Sequence, residues 1–147
     1  MMQVTRRNFL KASALGTAGL LPLLQLKAHA AVNIRLGACD WSFREKCNPK
    51  GFENAKAVGL DGLEISATDE AGATMKIADP AYRQTYKEAV KRTGITISSI
   101  AMGCLNNSPF ASDKRAPAWL EQSIEAAADL DAKVVLLAFF GDGDLLE

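Results

Sequence analysis

Apolar residues in this chain alternate between two spacings, short continuous runs and stripes recurring every three to four residues. The runs Ile34–Cys39, Leu60–Ser66, Ile95–Met102 and Lys133–Phe140 (IRLGAC, LDGLEIS, ITISSIAM, KVVLLAFF) predict strands. Between them lie helical patterns. Phe52 to Val58 predicts a short helix stopped by Gly59. Asp79-Pro80 supplies a cap and a first-turn proline for a helix whose Tyr82, Tyr86, Ala89 and Val90 share one face, and Gly94 ends it. A third helix is predicted from near Pro117, with Leu120, Ile124, Ala127 and Ala128 on its stripe. The last run is apolar almost throughout, which predicts a strand buried on both faces.

Strand starts near residues 34, 61, 95 and 133 fall 27 to 38 residues apart, the length of a repeating strand-helix unit. Parallel neighbours joined by right-handed crossovers follow. Four strands and three helices fit either a small doubly wound sheet or the opening half of a (β/α)8 barrel. The sequence stops at Leu145-Leu146-Glu147, just past the fourth strand, where a covering helix is expected. A barrel needs about 250 residues, so the expectation is an N-terminal half.

The start of the chain sets the address. Thr5-Arg6-Arg7-Asn8-Phe9-Leu10-Lys11, the weakly apolar stretch Ala12 to Leu26 and the small-x-small Ala28-His29-Ala30 read as a twin-arginine signal peptide cleaved after Ala30. The apolar stretch is too short and too interrupted for a stable membrane anchor, which needs about 20 apolar residues. Residues 1–30 are therefore assigned to the signal and 31–147 to the folded domain. The protein is expected to leave the cytoplasm through the twin-arginine machinery and to work in the periplasm or outside the cell.

Cleavage changes the chemistry of what remains. The full chain balances 17 basic against 17 acidic residues; loss of Arg6, Arg7, Lys11 and Lys27 leaves 13 against 17. A net charge of 4 minus argues against nucleic acid as a partner. His29, the single histidine, also goes, which excludes a Ser-His-Asp triad or a histidine-based zinc site built from this chain alone. Cys39, Cys47 and Cys104 remain, an odd number, and spacing alone does not decide whether Cys39 and Cys47 pair or stay as thiols. No Gly-x-Gly-x-x-Gly follows a strand, so a dinucleotide site is excluded. Gly141-Asp142-Gly143-Asp144 lacks the further ligands of an EF-hand and reads as a turn that displays polar side chains.

Three runs, Gly59-Leu60-Asp61-Gly62-Leu63-Glu64-Ile65, Thr93-Gly94-Ile95-Thr96-Ile97-Ser98-Ser99 and Ala138-Phe139-Phe140-Gly141-Asp142-Gly143-Asp144, resemble the second, third and fourth strand regions of sugar phosphate isomerases/epimerases. These belong to the xylose isomerase-like TIM-barrel superfamily. The resemblance spans Ile34 to Leu146 as that family's N-terminal half. It implies a small sugar or sugar derivative as substrate, and isomerisation or epimerisation by proton transfer next to a carbonyl. It also implies a divalent metal (manganese, magnesium, cobalt or zinc) held by Glu, Asp, His and Glu on strands five to eight. No metal ligand is then expected within this chain, and this half alone is expected to be inactive.

Among the candidate site residues, Glu64 is the acidic residue near the C-terminal end of the second strand, the barrel face where active sites are built. It is the candidate catalytic carboxylate; the alternative is a carboxylate bonded to backbone at the strand end. Asp40 and Trp41 follow the first strand, and Trp41 offers an apolar wall for a sugar ring. Asn106, after the third strand, and Asp142, after the fourth, are candidate hydroxyl-binding groups. Met102-Gly103-Cys104 stands where related metal-dependent endonucleases carry a histidine, which argues against a DNA-repair activity. A noncatalytic carbohydrate-binding barrel is the alternative function.

Overall fold

The structure, a computed structural model, describes residues 34–145; the expected export signal lies outside them. Four parallel strands form one sheet: β1 (Gly37–Cys39), β2 (Gly62–Ser66), β3 (Thr96–Met102) and β4 (Val135–Leu137). Their order in space is their order in sequence, β1-β2-β3-β4. A doubly wound sheet reverses direction at a switch point; this one does not. The helices α1 (Gly51–Val58), α2 (Pro80–Thr93) and α3 (Ala116–Asp129) follow β1, β2 and β3 in turn. Among the described residues no helix is long and apolar enough to cross a membrane.

The helix signals read from sequence act as anticipated. Asp79 Oδ1 accepts the Ala81 amide at 2.8 Å, capping α2. Gly59 and Gly94 end α1 and α2 with φ of 80° and 78°, where a side chain would strain the backbone.

One apolar core joins the sheet to all three helices. Leu63, Ile65, Ile97 and Ile100 supply the sheet side, and Phe52, Ala55, Tyr86, Ala89, Trp119 and Ala126 the helix side. Ile97 and Ile100 stand three apart, which a strict two-residue alternation cannot put on one face. A register shift resolves the conflict. Leu63 pairs with Ile97 but Glu64 pairs with Ser99, so Ser98 is an extra residue in β3 and both isoleucines reach the core.

Three expectations need correction. The first strand was expected over Ile34–Cys39, but β1 is only Gly37–Cys39, with Ile34 70% and Leu36 57% exposed. The run Lys133–Phe140 was expected to be buried on both faces, yet β4 has three residues, and Val134 and Leu136 are exposed. Both are edge strands, and the sheet face opposite the helices has no helix cover among the described residues, although Ser66, Ser99 and Ala101 on it are buried. The apolar stripe of α3 is also rotated: Trp119, Ser123, Ala126 and Ala127 are buried, whereas Ile124 and Ala128 face outward. The indole N–H of Trp119 donates to Gly72 O at 3.1 Å, and Ser123 Oγ donates to Met75 Sδ at 3.3 Å, which fixes that rotation.

Arg83, 5% exposed, locks α2 to α3. Its Nη1 donates to Ile77 O and Ala78 O at 3.1 and 2.9 Å, and its Nε reaches Asp129 at 2.8 Å. The two backbone acceptors, Ile77 O and Ala78 O, belong to the segment between β2 and α2 and the carboxylate acceptor Asp129 to α3, so one guanidinium ties that connection and both helices together.

Candidate functional site

Alternation along the strands puts Cys39, Glu64, Ser66, Ser99, Ala101 and Leu136 on the uncovered face of the sheet. Cys39, Glu64 and Ser99 form one row across three strands, because Glu64 is the register partner of both neighbours. Cys39 Sγ donates to Glu64 Oε1 at 3.1 Å and Ser99 Oγ donates to Oε2 at 2.5 Å. Each carboxylate oxygen keeps a lone pair beyond the one engaged. The side chain stays partly exposed, so it is held in place and still reachable.

Ser66, Ala101 and Leu136 lie one row nearer the C-terminal ends of the strands. They floor a cavity of about 340 Å³ whose rim includes Trp41, Lys46, Asn106 and Phe140. The loops after β1, β3 and β4 build that rim. Asp40, fully buried, organises the first of them: its Oδ2 accepts the amides of Ser66 and Cys47 at 2.7 and 3.0 Å, and its Oδ1 accepts Ser66 Oγ at 2.8 Å. These bonds hold a loop in which Arg44 and Cys47 adopt left-handed φ of 58° and 52°. The turn that opens this loop, Asp40–Phe43, carries Trp41, 44% exposed. The loops after β3 and β4 are tied by the Phe140 amide, which donates to Asn106 Oδ1 at 3.1 Å. They approach so closely at Gly143 that a Cβ there would sit 1.8 Å from Leu105 O. Only glycine fits.

A second cavity, about 390 Å³, opens at the opposite, N-terminal ends of the strands beside Arg35, Asp61 and Thr96. Its polar groups serve the fold: Asp61 Oδ2 accepts the Leu36 amide at 2.8 Å and Thr96 Oγ1 donates to Asp61 O at 3.1 Å. In open α/β sheets ligands bind beyond the carboxyl ends of the strands, which favours the first cavity.

Of the residues singled out from sequence, Trp41 and Asn106 line that cavity. Glu64 is on its face but one row below the floor, since β2 continues to Ser66. Asp142 is exposed in the turn Gly141–Gly143 and does not line it. Lys46, Ser66 and Phe140 line it without having been singled out. So do the partners of Glu64 escape a linear reading: Cys39 and Ser99 lie 25 and 35 residues from it and meet it only through strand register.

The three cysteines are free thiols. Burial, followed by the hydrogen bond to Glu64 and the charges of Glu64 and Asp40, pushes the Cys39 thiol from 9.0 up to about 12. Burial and the charge of Asp40 push Cys47 up to about 12 as well. Both remain protonated donors at neutral pH, so they are poor nucleophiles. The folded state prefers the protonated thiols. Their contribution to stability is therefore complete below pH 9 and is lost as pH rises from about 9 to 12. Iodoacetamide at pH 8 is expected to label these two cysteines far more slowly in the native protein than in urea; equal rates would contradict the burial argument.

Among the described residues no three His, Cys, Asp or Glu side chains converge as a metal site. Glu64 is flanked by a thiol donor and a hydroxyl donor, not by further carboxylates. These residues alone do not fit a resident metal ion.

Comparison with solved structures brings out a likeness of fold. The apo crystal structure of 3-keto-D-glucoside 4-epimerase, YcjR, from E. coli is similar over 69% of this chain, with a TM-score of 0.52 and 20% identity. The fold resembles that of a sugar epimerase. The matched region is 36% of the epimerase's own length, so this chain spans little more than a third of it. No protein-family model and no curated protein matches the sequence. At this identity the likeness concerns the fold: an α/β arrangement of four sequential parallel strands.

Proposed function

We propose that this chain supplies the first four strands and three helices of a (β/α)8 barrel and that the complete protein is an exported sugar isomerase or epimerase. One observation carries the reading. A carboxylate, Glu64, is held by Cys39 and Ser99 on the uncovered sheet face, directly beneath a cavity walled by Trp41 at the C-terminal ends of the strands. That is the barrel end at which active sites are built.

The sheet itself favours a barrel. An all-parallel sheet is normally covered on both faces, and this one leaves Glu64, Val134 and Leu136 without a cover. Closure into a barrel would turn that face inward and enclose the Glu64 row.

In this reading Glu64 acts as general base. It takes a proton from the carbon next to the sugar carbonyl and the same proton, or one from solvent, returns to a neighbouring carbon or to the opposite face. Cys39 and Ser99 orient the carboxylate while leaving each of its oxygens a lone pair for the proton. Trp41 and Phe140 offer apolar surface to the ring, and Asn106 and Ser66 offer hydrogen-bonding groups to its hydroxyls. The divalent metal implied by the resemblance finds no ligand set among these residues, and nothing in this scheme passes through it. Export rests on the sequence of residues 1–30 alone.

The test is isotope exchange. The complete protein, of which this chain is proposed to be the N-terminal part, is incubated with a divalent cation supplied, in heavy water with a panel of aldoses, ketoses and keto-sugars, and followed by proton NMR. Loss of the signal from the hydrogen next to the carbonyl, with appearance of an isomer, is expected for at least one sugar. Binding without any exchange would replace catalysis by the carbohydrate-binding alternative.

A further inference from the structure

Two hydrogen bonds decide which polar groups this cavity offers. The Ser66 hydroxyl has one proton and two lone pairs, and its Oγ lies 2.8 Å from Asp40 Oδ1. A carboxylate only accepts, so the proton of Ser66 is committed to Asp40 and lone pairs alone are left for the cavity floor. Asp40 is not free to turn away. Its side chain is fully buried, and the amides of Ser66 and Cys47 hold Oδ2 at 2.7 and 3.0 Å. Asn106 on the rim is committed in the opposite sense. The Phe140 amide can only donate, so it takes up Asn106 Oδ1 and leaves the side-chain N–H groups for a ligand. Lys46, also on the rim, carries only donors. The cavity therefore has an accepting floor and a donating rim.

We infer that Ser66, with its proton held by Asp40, is the specificity-determining residue of this cavity: its floor takes a hydroxyl of the sugar as donor and turns the sugar's carbonyl oxygen to the donors of the rim. The inference rests on the sugar-processing reading above and deepens it. A hydroxyl both donates and accepts, so it satisfies the floor. A carbonyl oxygen only accepts, and over Ser66 it would set lone pairs against lone pairs at a buried position. A site built to bond a hydroxyl discriminates sharply against an analogue that lacks it, because its own polar group is left unpaired. Asp40 does not line the cavity and is a positioning residue that acts through Ser66. Asp40→Asn reverses the polarity it imposes. With the asparagine oxygen kept on the two amides, its nitrogen donates to Ser66 Oγ, and the Ser66 proton is released for the floor.

Calorimetric titration of the complete protein with the same panel of aldoses, ketoses and keto-sugars selects the tightest binder. That sugar is then compared with its monodeoxyfluoro counterparts, in which one hydroxyl at a time gives way to fluorine, which cannot donate. At one position fluorine is expected to weaken binding about tenfold or more. Ser66→Ala and Asp40→Asn are each expected to cut that penalty to about threefold or less, at that position and at no other. A merely structural role for Asp40 would weaken the sugar and its fluoro counterparts by one common factor and leave their ratio unmoved. Absence of any such position in the wild type, or a penalty that survives in either folded variant, overturns the inference and leaves the sugar reading standing. Failure of every sugar in the panel to bind overturns both.

Discussion

Glu64→Gln is expected to lower isotope exchange by about 100-fold or more while leaving the thermal midpoint within a few degrees of the wild type. The two halves of that expectation come from one geometry. A glutamine has the same shape and keeps one oxygen to accept from the Cys39 thiol, while its amide donates to Ser99 Oγ, which then turns its own proton elsewhere. Packing and hydrogen-bond count survive. What disappears is the proton affinity of the carboxylate, and a general base without proton affinity contributes nothing. Unchanged exchange with a folded variant would remove Glu64 from the chemistry; lost exchange with a large fall in midpoint would make it structural. Cys39→Ala separates orientation from chemistry, because it removes one of the two donors on Glu64 and leaves the carboxylate itself.

Much of this fold is legible in the chain because its signals are local. Asp79-Pro80 and the glycines at 59 and 94 begin and end helices by their own backbone chemistry, whatever packs around them. Strand order is legible from the repeat length. What the sequence conceals are features set by relations between segments. Two serines between Ile97 and Ile100 announce nothing until β2 is laid alongside and the bulge puts Ser99 opposite Glu64. The apolar runs at either end of the domain look like full strands, but a run is only as buried as its neighbours allow, and Ile34, Val134 and Leu136 have none on one side. In α3 two overlapping apolar stripes compete. Trp119 wins over Ile124 because its indole has both a pocket and an acceptor.

The site shows the same division. Trp41 and Asn106 are legible as polar or aromatic residues following strands. Lys46 is not, since a lone lysine in a polar loop is indistinguishable from a solvated surface charge until the loop is folded over a cavity. Asp40 is the sharpest case: an aspartate next to a tryptophan after a strand suggests a group facing the pocket, yet it turns away from solvent entirely and binds the end of β2.

That burial leads to the second large effect. Asp40→Ala is expected to destabilise the fold by about 3–5 kcal/mol, because it strands the amides of Ser66 and Cys47 and the Ser66 hydroxyl in a buried site. Asp40→Asn is expected to cost about 1–2 kcal/mol only. Both amides converge on Oδ2 and the hydroxyl alone on Oδ1, so an asparagine oriented with its oxygen in the Oδ2 position keeps both amide bonds, while its nitrogen donates to Ser66 Oγ. Urea titrations of the two variants read this difference, and hydrogen exchange at the Cys47 amide locates it. The loop's left-handed residues, Arg44 and Cys47, have no local reason to stay where they are without that acceptor, so exchange at Cys47 should accelerate in the alanine variant ahead of global unfolding. Equal destabilisation by alanine and asparagine would mean that Asp40 acts through its charge and not through the three bonds. In that event the position of Trp41 and Lys46 at the rim would depend on electrostatics between the loop and β2, and high salt would loosen it.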